Sequence, residues 1–396
     1  MLKALSSNGK YLTMLPFTLR FIALAFALVL AIPAAQAVET LAKQVVLMDA
    51  ETGAILFEKN AEEPMAPASM SKLMTIFMVF ERLRDGRLSL DDKFSVSENA
   101  WRKGGAKSGS STMFLVPGKR VRIEDLIRGI VVQSGNDACI VIAEGIAGSE
   151  ESFADEMTGR ARQLGMSAST FKNSTGWPDP EHMMSPKDLA TLAKLLVEQF
   201  PEYYHYFSET SFVYNGIKQN NRNPLIYKDM GADGLKTGHT QDSGYGLTAS
   251  ATRGERRLVL VVNGLSSKKE RSREPERLLE WGFREFDNYA LLGAGEIVEQ
   301  APVWLGKEPS VALMIENKLK LTLHKKARRE MKVTVNYQGP IPAPVKKGDI
   351  LASLIVSAPG EKTVEIPLVA AADVEQLGLI GRLMAAFRYI VFGGAN

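Results

Sequence analysis

The chain has 396 residues, of which 45% are hydrophobic and 23% are charged, and its formal net charge is +3. This composition excludes an intrinsically disordered protein, and the length is sufficient for two or three domains. The sequence contains one cysteine, Cys139, which excludes an intramolecular disulfide. Because Cys139 lies in an apolar segment, we expect a buried hydrophobic residue rather than a nucleophile.

The first 37 residues have the pattern of a secretory signal peptide. Basic residues precede the apolar run FIALAFALVLAIPAAQA, which ends in the cleavage-site pattern Ala35-Gln36-Ala37. We predict cleavage after Ala37 and export, with an uncleaved membrane anchor as the alternative. Removal of residues 1–37 takes away three positive and no negative charges, so 45 basic and 45 acidic residues remain. This balance gives no support to nucleic-acid binding.

The start of the mature chain alternates between strand and helix patterns. Residues 43–64 predict two strands around a turn at Ala50–Gly53. A very apolar helix is predicted to begin near Ser69 and to end at Gly86. Residues 97–115 are rich in Gly, Ser and Lys, and they predict a long loop beside a site. They lack the Gly-Lys-Ser/Thr triplet of a phosphate-binding loop.

Further helices and three consecutive strands are predicted before residue 291. The predicted helices cover residues 122–134 with a break at Gly135, then 136–147, 151–166, 185–200 and 274–289. The predicted strands cover residues 233–240, 245–253 and 256–265. This order of strands, helices, strands and a final helix indicates an α+β domain around an antiparallel sheet, which we place at residues 38–290.

Two further segments follow the α+β domain. Short alternating strands with Gly and Pro turns predict a small all-β sandwich domain over residues 291–370. Residues 371–396 have apolar residues at helical spacing, with charged residues off that stripe. This helix either packs on the β domain or lies in a membrane interface, and it is too short and too charged to span a bilayer. For an exported protein we favour the membrane interface.

Several classes of enzyme lack their motifs in this sequence. The four histidines form no His-Glu-x-x-His pattern and no paired metal spacing, so neither a metallohydrolase nor a cofactor is expected. The Gly-x-Ser-x-Gly elbow of the α/β-hydrolases is also missing from the sequence. The chemistry must therefore come from another arrangement.

Three short motifs occur in a fixed order. They are Ser69-Met-Ser-Lys72, Ser134-Gly-Asn136 and Lys236-Thr-Gly238. Each is weak alone, since Ser-x-x-Lys occurs four times. Only the pair at 69 and 72 opens a long apolar helix, while the second motif lies at a helix break and the third on a predicted strand. This combination is the active-site pattern of the penicillin-recognising serine enzymes.

The sequence resembles the low-molecular-weight penicillin-binding proteins, which are serine-type D-alanyl-D-alanine carboxypeptidases. The segments SGNDAC, DGLKTGHT and NSTGWPDPEHMMSPKDLA carry the resemblance, which extends over essentially all of residues 38–396. It implies a penicillin-binding-protein/β-lactamase-like fold and a periplasmic enzyme at the inner membrane. Such an enzyme removes the terminal D-alanine from peptidoglycan stem peptides and is acylated by β-lactam antibiotics.

The resemblance also implies roles for individual residues. Ser69 would be the acyl-ester nucleophile, Lys72 its general base and Ser134 a proton relay. Positions i and i+3 share a helix face, so Lys72 can reach the Ser69 hydroxyl. Burial beside a second cation, Lys236, would lower the pKa of Lys72 from about 10.4. The implied substrate-binding residues are Asn136, Arg222, Lys236, Thr237, Gly238, His239 and Arg271, with backbone N–H groups of Ser69 and His239 as oxyanion hole.

Each of these residues also has a purely structural interpretation. Ser69 could be a helix cap, Ser134 and Asn136 could satisfy a turn, and Lys236 could be a surface charge on an edge strand. Arg273 is an alternative to Arg271. The family's usual Asn-Pro-x-Gly is replaced here by the sequence NSTG at residues 173–176.

Competing functions differ in how well they fit. A class A β-lactamase carries Ser-Asp-Asn in the second motif and has no β domain. A DD-endopeptidase that cuts peptidoglycan cross-links has the same three motifs. A non-catalytic wall-binding protein on this scaffold would not need all three motifs intact. The β domain and the C-terminal helix favour the carboxypeptidase, and the sequence is compatible with a homo-oligomer without requiring one.

Overall fold

The structure is a computed structural model that describes residues 38–392. The elements given below belong to one compact unit that begins at Leu41. The predicted signal peptide, residues 1–37, lies outside the described residues, and so do residues 393–396 at the end of the predicted anchor.

The described chain contains the following strands and α-helices. The strands are β1 (Gln44–Asp49), β2 (Ile55–Lys59), β3 (Lys93–Ser95), β4 (Arg120–Arg122), β5 (Ser211–Tyr214), β6 (Ile217–Asn220), β7 (Ala232–Thr240), β8 (Gly244–Arg253), β9 (Arg256–Leu265), β10 (Phe286–Leu292), β11 (Ile297–Trp304), β12 (Ser310–Met314), β13 (Leu319–His324), β14 (Lys332–Asn336), β15 (Ile341–Pro342), β16 (Ile350–Ser357) and β17 (Val364–Ala370). The helices are α1 (Lys72–Arg84), α2 (Glu98–Gly104), α3 (Ile123–Val131), α4 (Asn136–Ala147), α5 (Glu150–Gln163), α6 (Pro186–Gln199), α7 (Lys268–Glu285) and α8 (Leu379–Phe392).

A five-stranded antiparallel sheet forms the centre of the first domain, with strand order β2-β1-β9-β8-β7. Six consecutive residues of β9, from Leu258 to Asn263, are buried. Both α6 and α7 pack against β9, which explains why this strand is buried on both faces. The edge strand β7 carries the Lys-Thr-Gly motif. The predicted α+β fold is confirmed.

Helix α1 passes through the core, as its apolar sequence predicted. The rings of Phe77 and Phe80 pack against Phe200 with centroids 5.2 and 5.7 Å apart. Burial of such a side chain contributes about 1.5–3 kcal/mol to stability. The helix ends at Arg84 with Asp85 as its C-cap, and Gly86 follows with φ 76°. A helix buried along its length gives a fixed position to the residues at its N-terminus.

The prediction of one long loop over residues 97–115 is partly wrong. Helix α2 occupies its first part because Ser97 is an N-cap, whose Oγ accepts a hydrogen bond from Ala100 N at 2.9 Å. The hairpin β5–β6 was not predicted either. Its inward residues Phe212 and Gln219 are buried, and Gln219 Nε2 donates to the Met113 carbonyl at 3.3 Å. The hairpin therefore packs on the segment that follows α2.

The all-β part has a six-stranded sheet of order β14-β16-β17-β12-β11-β15, and β10 pairs with β13. Its core includes the fully buried Leu313, Leu354 and Leu368. The predicted small all-β domain is thus confirmed.

Helix α8 does not bury its apolar stripe. Its apolar residues that are between 52% and 80% exposed are Leu379, Ile380, Leu383, Met384, Phe387, Ile390 and Val391. The alternative in which this stripe packs on the β domain therefore receives no support. Among residues 38–392, no helix combines the length and the hydropathy needed to cross a bilayer.

Candidate active site

Ser69 lies in a 3-10 turn, Ala68–Ser71, that leads directly into α1. Lys72 Nζ donates hydrogen bonds to Ser69 Oγ at 2.9 Å and to the Thr175 carbonyl. The Lys72 side chain is completely buried. Ser69 is not a side-chain cap, because the residue before α1 is Ser71, whose Oγ donates to the Ala68 carbonyl at 3.1 Å.

The turn that carries Ser69 is strained and tightly enclosed. Ala68 has φ 48°, a left-handed conformation that costs a non-glycine residue about 1–3 kcal/mol. A Cβ on Gly238 would lie 2.9 Å from the Pro67 carbonyl oxygen, and one on Gly176 would lie 2.0 Å from the Ala68 carbonyl oxygen. Glycine at both positions therefore lets β7 and the segment around residue 176 close on the turn.

The second motif lies between α3 and α4. Ser134 has φ 66°, and neither its buried Oγ nor the buried Oδ1 of Asn136 has a hydrogen-bond partner among the described residues. Asn136 N donates to the Ser111 carbonyl at 2.7 Å. A buried polar atom without a partner costs about 1–3 kcal/mol. Two such atoms beside Ser69 are suited to pair with polar groups of a substrate.

Lys236 of the third motif is buried on β7, and its Nζ donates to the Thr237 carbonyl at 3.1 Å. Burial, together with the charges of Lys72 and Arg222, holds the pKa of Lys236 well below its ordinary value. The pKa of Lys72 is likewise lowered from 10.5 to about 8, mainly by burial. The charge of Arg222 also lowers it, whereas Cys139, Glu150 and Asp137 raise it. The predicted depression of the Lys72 pKa is present, with burial rather than Lys236 as its largest cause.

A cavity of about 580 Å³ opens at Ser69. It is lined by Ser69, Ser111, Ser134, Arg222, Thr237, Gly238, His239, Tyr245, Lys268 and Arg271. Among the described residues, neither Arg222 nor Arg271 forms an ion pair with a carboxylate, and burial lowers the pKa of both. Arg271 lies over the Tyr245 ring at 5.3 Å. Arg273, the alternative to Arg271, does not line this cavity.

His239 stacks on Tyr245, with ring centroids 3.9 Å apart. Burial and the nearby Arg271 lower the pKa of His239 below its ordinary value, so its ring is neutral at pH 7. A neutral ring against an aromatic partner agrees with a role for the main chain of His239 rather than for its side chain.

A second cavity, of about 360 Å³, also opens at Ser69. It is lined by Ser69, Ser108, Gly109, Ser110, Ser111, Asn136, Thr175, Gly176, Trp177, Pro178, His239 and Thr240, none of which is charged. The cleft is therefore cationic at one end and uncharged at the other. Within residues 38–392, no three His, Cys, Asp or Glu side chains are grouped as metal ligands.

Comparison with known proteins identifies the family. Residues 31–267 match the family described as D-alanyl-D-alanine carboxypeptidase, and residues 286–376 match the C-terminal domain of penicillin-binding protein 5. The chain belongs to the D-alanyl-D-alanine carboxypeptidase family. The D-alanyl-D-alanine carboxypeptidase DacC of Escherichia coli K12 is 37% identical over 341 residues, which is 85% of each chain. The family and the function predicted from the three motifs are confirmed.

Solved structures of other carboxypeptidase-family members have the same fold. Penicillin-binding protein 5 of Haemophilus influenzae matches with a TM-score of 0.77 and 34% identity, covering 86% of this chain and 99% of that one. Penicillin-binding protein D2 of Listeria monocytogenes in its ampicillin-bound form matches with a TM-score of 0.54 and 30% identity, covering 62% of this chain and 98% of that one. Ampicillin is a β-lactam, so this relative binds a β-lactam antibiotic.

The structure adds two features of this carboxypeptidase that sequence reasoning missed. Asp137 is fully buried and accepts hydrogen bonds from Thr112 Oγ1 at 2.6 Å, Met113 N at 3.0 Å and Leu115 N at 3.1 Å. The sequence feature that could have predicted this role is an acidic residue at the start of an apolar helix. The contact of Lys72 with the Thr175 carbonyl had no signal, because any residue type supplies that oxygen.

Cys139 is buried on α4, as predicted. Burial raises the pKa of its thiol to about 12, so the group is a protonated thiol at neutral pH.

Proposed function

We propose that this protein is a serine-type carboxypeptidase in which Ser69 forms an ester with the stem peptide and releases its terminal D-alanine. The observation that carries the proposal is the buried Lys72, which contacts Ser69 Oγ at 2.9 Å where a cationic cavity meets an uncharged one. This arrangement supplies a base, a nucleophile and a site for a peptide with a free carboxylate.

Acylation begins with neutral Lys72. At pH 7, one unit below a pKa of about 8, roughly a tenth of the molecules hold Lys72 unprotonated. Lys72 takes the proton of Ser69 while Oγ attacks the carbonyl carbon of the penultimate D-alanine. Backbone N–H groups of Ser69 and His239 receive the developing oxyanion, and one such donor is worth about 3–4 kcal/mol.

The proton then moves to the leaving group. Protonated Lys72 returns it through Ser134 Oγ to the amide nitrogen, the C–N bond breaks, and D-alanine departs as a free amine. Water then attacks the Ser69 ester, Lys72 accepts a proton from that water, and the proton returns to Ser69 Oγ as the ester bond breaks. A β-lactam acylates the same Oγ by opening of its ring.

The asymmetry of the cleft orients the substrate. The terminal carboxylate binds at the cationic end, which Arg222 and Arg271 line, with Thr237 as a hydrogen-bond donor. Lys236 is buried nearby, close enough for both arginines to lower its pKa. The rest of the stem peptide occupies the uncharged cavity, and Asn136 pairs with its amide.

A homo-oligomer stays a prediction that no contact of the described residues tests.

Labelling with a fluorescent penicillin tests the nucleophile. We expect the wild type to be labelled at Ser69, the Ser69→Ala variant to be unlabelled, and the matched Ser71→Ala variant to retain labelling, because Ser71 Oγ bonds to Ala68 instead of Lys72. Label on the Ser69→Ala variant would remove Ser69 from its role.

The same proteins are then compared on two peptidoglycan substrates. Release of D-alanine from a pentapeptide should exceed cleavage of a cross-linked dimer. Faster cleavage of the dimer would favour a DD-endopeptidase, and binding without turnover of either substrate would favour a non-catalytic wall-binding protein.

A further inference from the structure

The turn formed by residues 173–177, called here the 173–177 turn, is fastened by one side chain. Asn173 Oδ1 accepts hydrogen bonds from Thr175 N at 3.1 Å, Thr175 Oγ1 at 2.9 Å, Gly176 N at 2.8 Å and Trp177 N at 3.0 Å. Its Nδ2 donates to the Trp177 carbonyl at 3.1 Å. Five hydrogen bonds from one side chain leave the turn little conformational freedom.

The 173–177 turn is also joined to two helices. The Ser174 carbonyl accepts from Thr75 Oγ1 of α1 at 2.7 Å. Glu150, the first residue of α5, accepts from Ser174 Oγ at 2.8 Å and from Ser174 N at 3.2 Å. With residue 174 fixed on both sides, the next carbonyl, that of Thr175, faces Lys72 Nζ.

We propose that Asn173 is a positioning residue for Lys72. By fixing the 173–177 turn, it keeps the Thr175 carbonyl against Nζ, so that one N–H is engaged and the lone pair of the neutral amine is directed at Ser69 Oγ. An amine that rotates freely about its Cε–Nζ bond would spend less time in that orientation. This inference rests on the proposed role of Lys72 as general base.

The groups around Lys72 determine whether a change in the 173–177 turn raises or lowers the pKa of Lys72. The titratable and charged groups around it are Asp137, Cys139, Glu150, His182, Arg222 and Lys236. The Thr175 carbonyl adds the negative end of a dipole, which favours the ammonium form. Loss of this contact should lower the pKa of Lys72, and a new negative charge in the 173–177 turn should raise it.

The experiment measures the second-order rate of acylation by a fluorescent penicillin between about pH 6 and pH 10, a range that brackets the pKa of Lys72. For Asn173→Ala we expect a plateau rate about 10- to 100-fold below wild type and a midpoint at lower pH. For Asn173→Asp, which retains the acceptor oxygen, we expect most of the plateau rate and a midpoint at higher pH.

A matched control separates positioning from general stability. Asn99→Ala removes a side-chain hydrogen bond of 2.8 Å to Glu144 and should leave the acylation profile unchanged. Thermal unfolding of each variant gives the folded fraction. Rates that fall in both Asn173 variants with the wild-type midpoint would overturn the inference, and so would an Asn173→Ala profile equal to wild type.

If Asn173→Ala does not fold, the test depends on the midpoint of the pH profile of Asn173→Asp. A midpoint equal to that of the wild type overturns the inference. The proposed function is tested separately by peptide mass analysis of the acylated wild type. A wild type not acylated at Ser69 overturns the proposed function. Acylation at Ser69 combined with unchanged variant profiles overturns only the role of Asn173.

Discussion

At the scale of single residues, two arginines at the cationic end of the cleft can be tested for their contribution to binding the substrate carboxylate. Arg222 and Arg271 both line the cavity at Ser69, whereas Arg273 lies two residues away and does not. A hydrogen bond to a charged group is worth about 1.5–3 kcal/mol. We therefore expect Arg222→Ala and Arg271→Ala each to lower kcat/KM for D-alanine release by about 10- to 100-fold.

Two controls accompany the measurement on the arginines. Arg273→Ala should keep the wild-type rate. A peptide whose terminal carboxylate is amidated should be cleaved slowly by the wild type and should lose little further with either variant, because its carboxylate is already gone. An equal loss on both peptides would show that the arginines act on the fold and not on the carboxylate.

At the scale of elements, Asp137 joins the start of α4 to the segment that follows α2. Its fully buried carboxylate accepts from Thr112, Met113, Leu115 and its neighbour Ala138. Asp137→Ala would leave these donors unpaired, at a cost of about 1–3 kcal/mol each. We expect the free energy of unfolding to fall by about 3 kcal/mol or more, measured as a shift of the urea midpoint.

The exposed Asp155 on α5 provides the matched control for Asp137. Asp155→Ala should leave the urea midpoint within about 0.5 kcal/mol of wild type. The acylation rate of folded Asp137→Ala should also fall, since the hydrogen bond from Asn136 N to the Ser111 carbonyl joins the same two segments as Asp137 does. A variant as stable as wild type would mean that water replaces the carboxylate without loss.

The order of the elements and the catalytic motifs were predictable because their signals are local. The stripe of α1, the break at Gly135 and the period of β7 to β9 can each be recognised within some ten residues. The first and third motifs then meet because β7 packs against the turn at Ser69, and the second joins them because α4 packs against α1. Helix α2 was not predicted because the Gly, Ser and Lys content of residues 97–115 indicated a loop, and the helix cap at Ser97 was not recognised.

The geometry around Lys72 was beyond sequence reasoning. The Thr175 carbonyl is 103 positions away in sequence, and a backbone oxygen leaves no trace in residue type. The replacement of the family's Asn-Pro-x-Gly by Asn-Ser-Thr-Gly gave no indication that Asn173 would bond to so many backbone groups. Likewise, the position of Arg222 and Arg271 at the same cavity depends on contacts between distant segments.

At the scale of the whole molecule, the two domains are joined by polar contacts around β10. Asp49 is fully buried and accepts from Arg256 Nε at 2.8 Å and from Asn288 Nδ2 at 3.1 Å. Thr52 and Thr322 bring their hydroxyl groups within 2.5 Å of each other across the same junction. The catalytic domain and the β domain therefore share a network whose buried carboxylate is fully paired.

We propose that α8 binds the surface of the inner membrane from its periplasmic side. Residues 38–396 contain equal numbers of basic and acidic residues, so their net charge supplies no general attraction to anionic lipid. The exposed apolar residues of α8 supply the attraction to the membrane instead, because their transfer from water into the membrane interface is favourable. Binding should therefore resist high salt, which screens charges but not apolar contacts.

Sedimentation with membrane vesicles tests this proposal on a protein of residues 38–396. Deletion of residues 373–396, or the double substitution Leu383→Glu with Phe387→Glu, should move the protein from the pellet to the supernatant. Ile350→Glu is the matched control, since Ile350 is 71% exposed but lies on the β domain, and it should stay in the pellet. D-alanine release from a soluble peptide should be unchanged in all variants, because α8 contributes no residue to the cleft. Continued pelleting of the deletion variant would place the membrane contact elsewhere on the molecule.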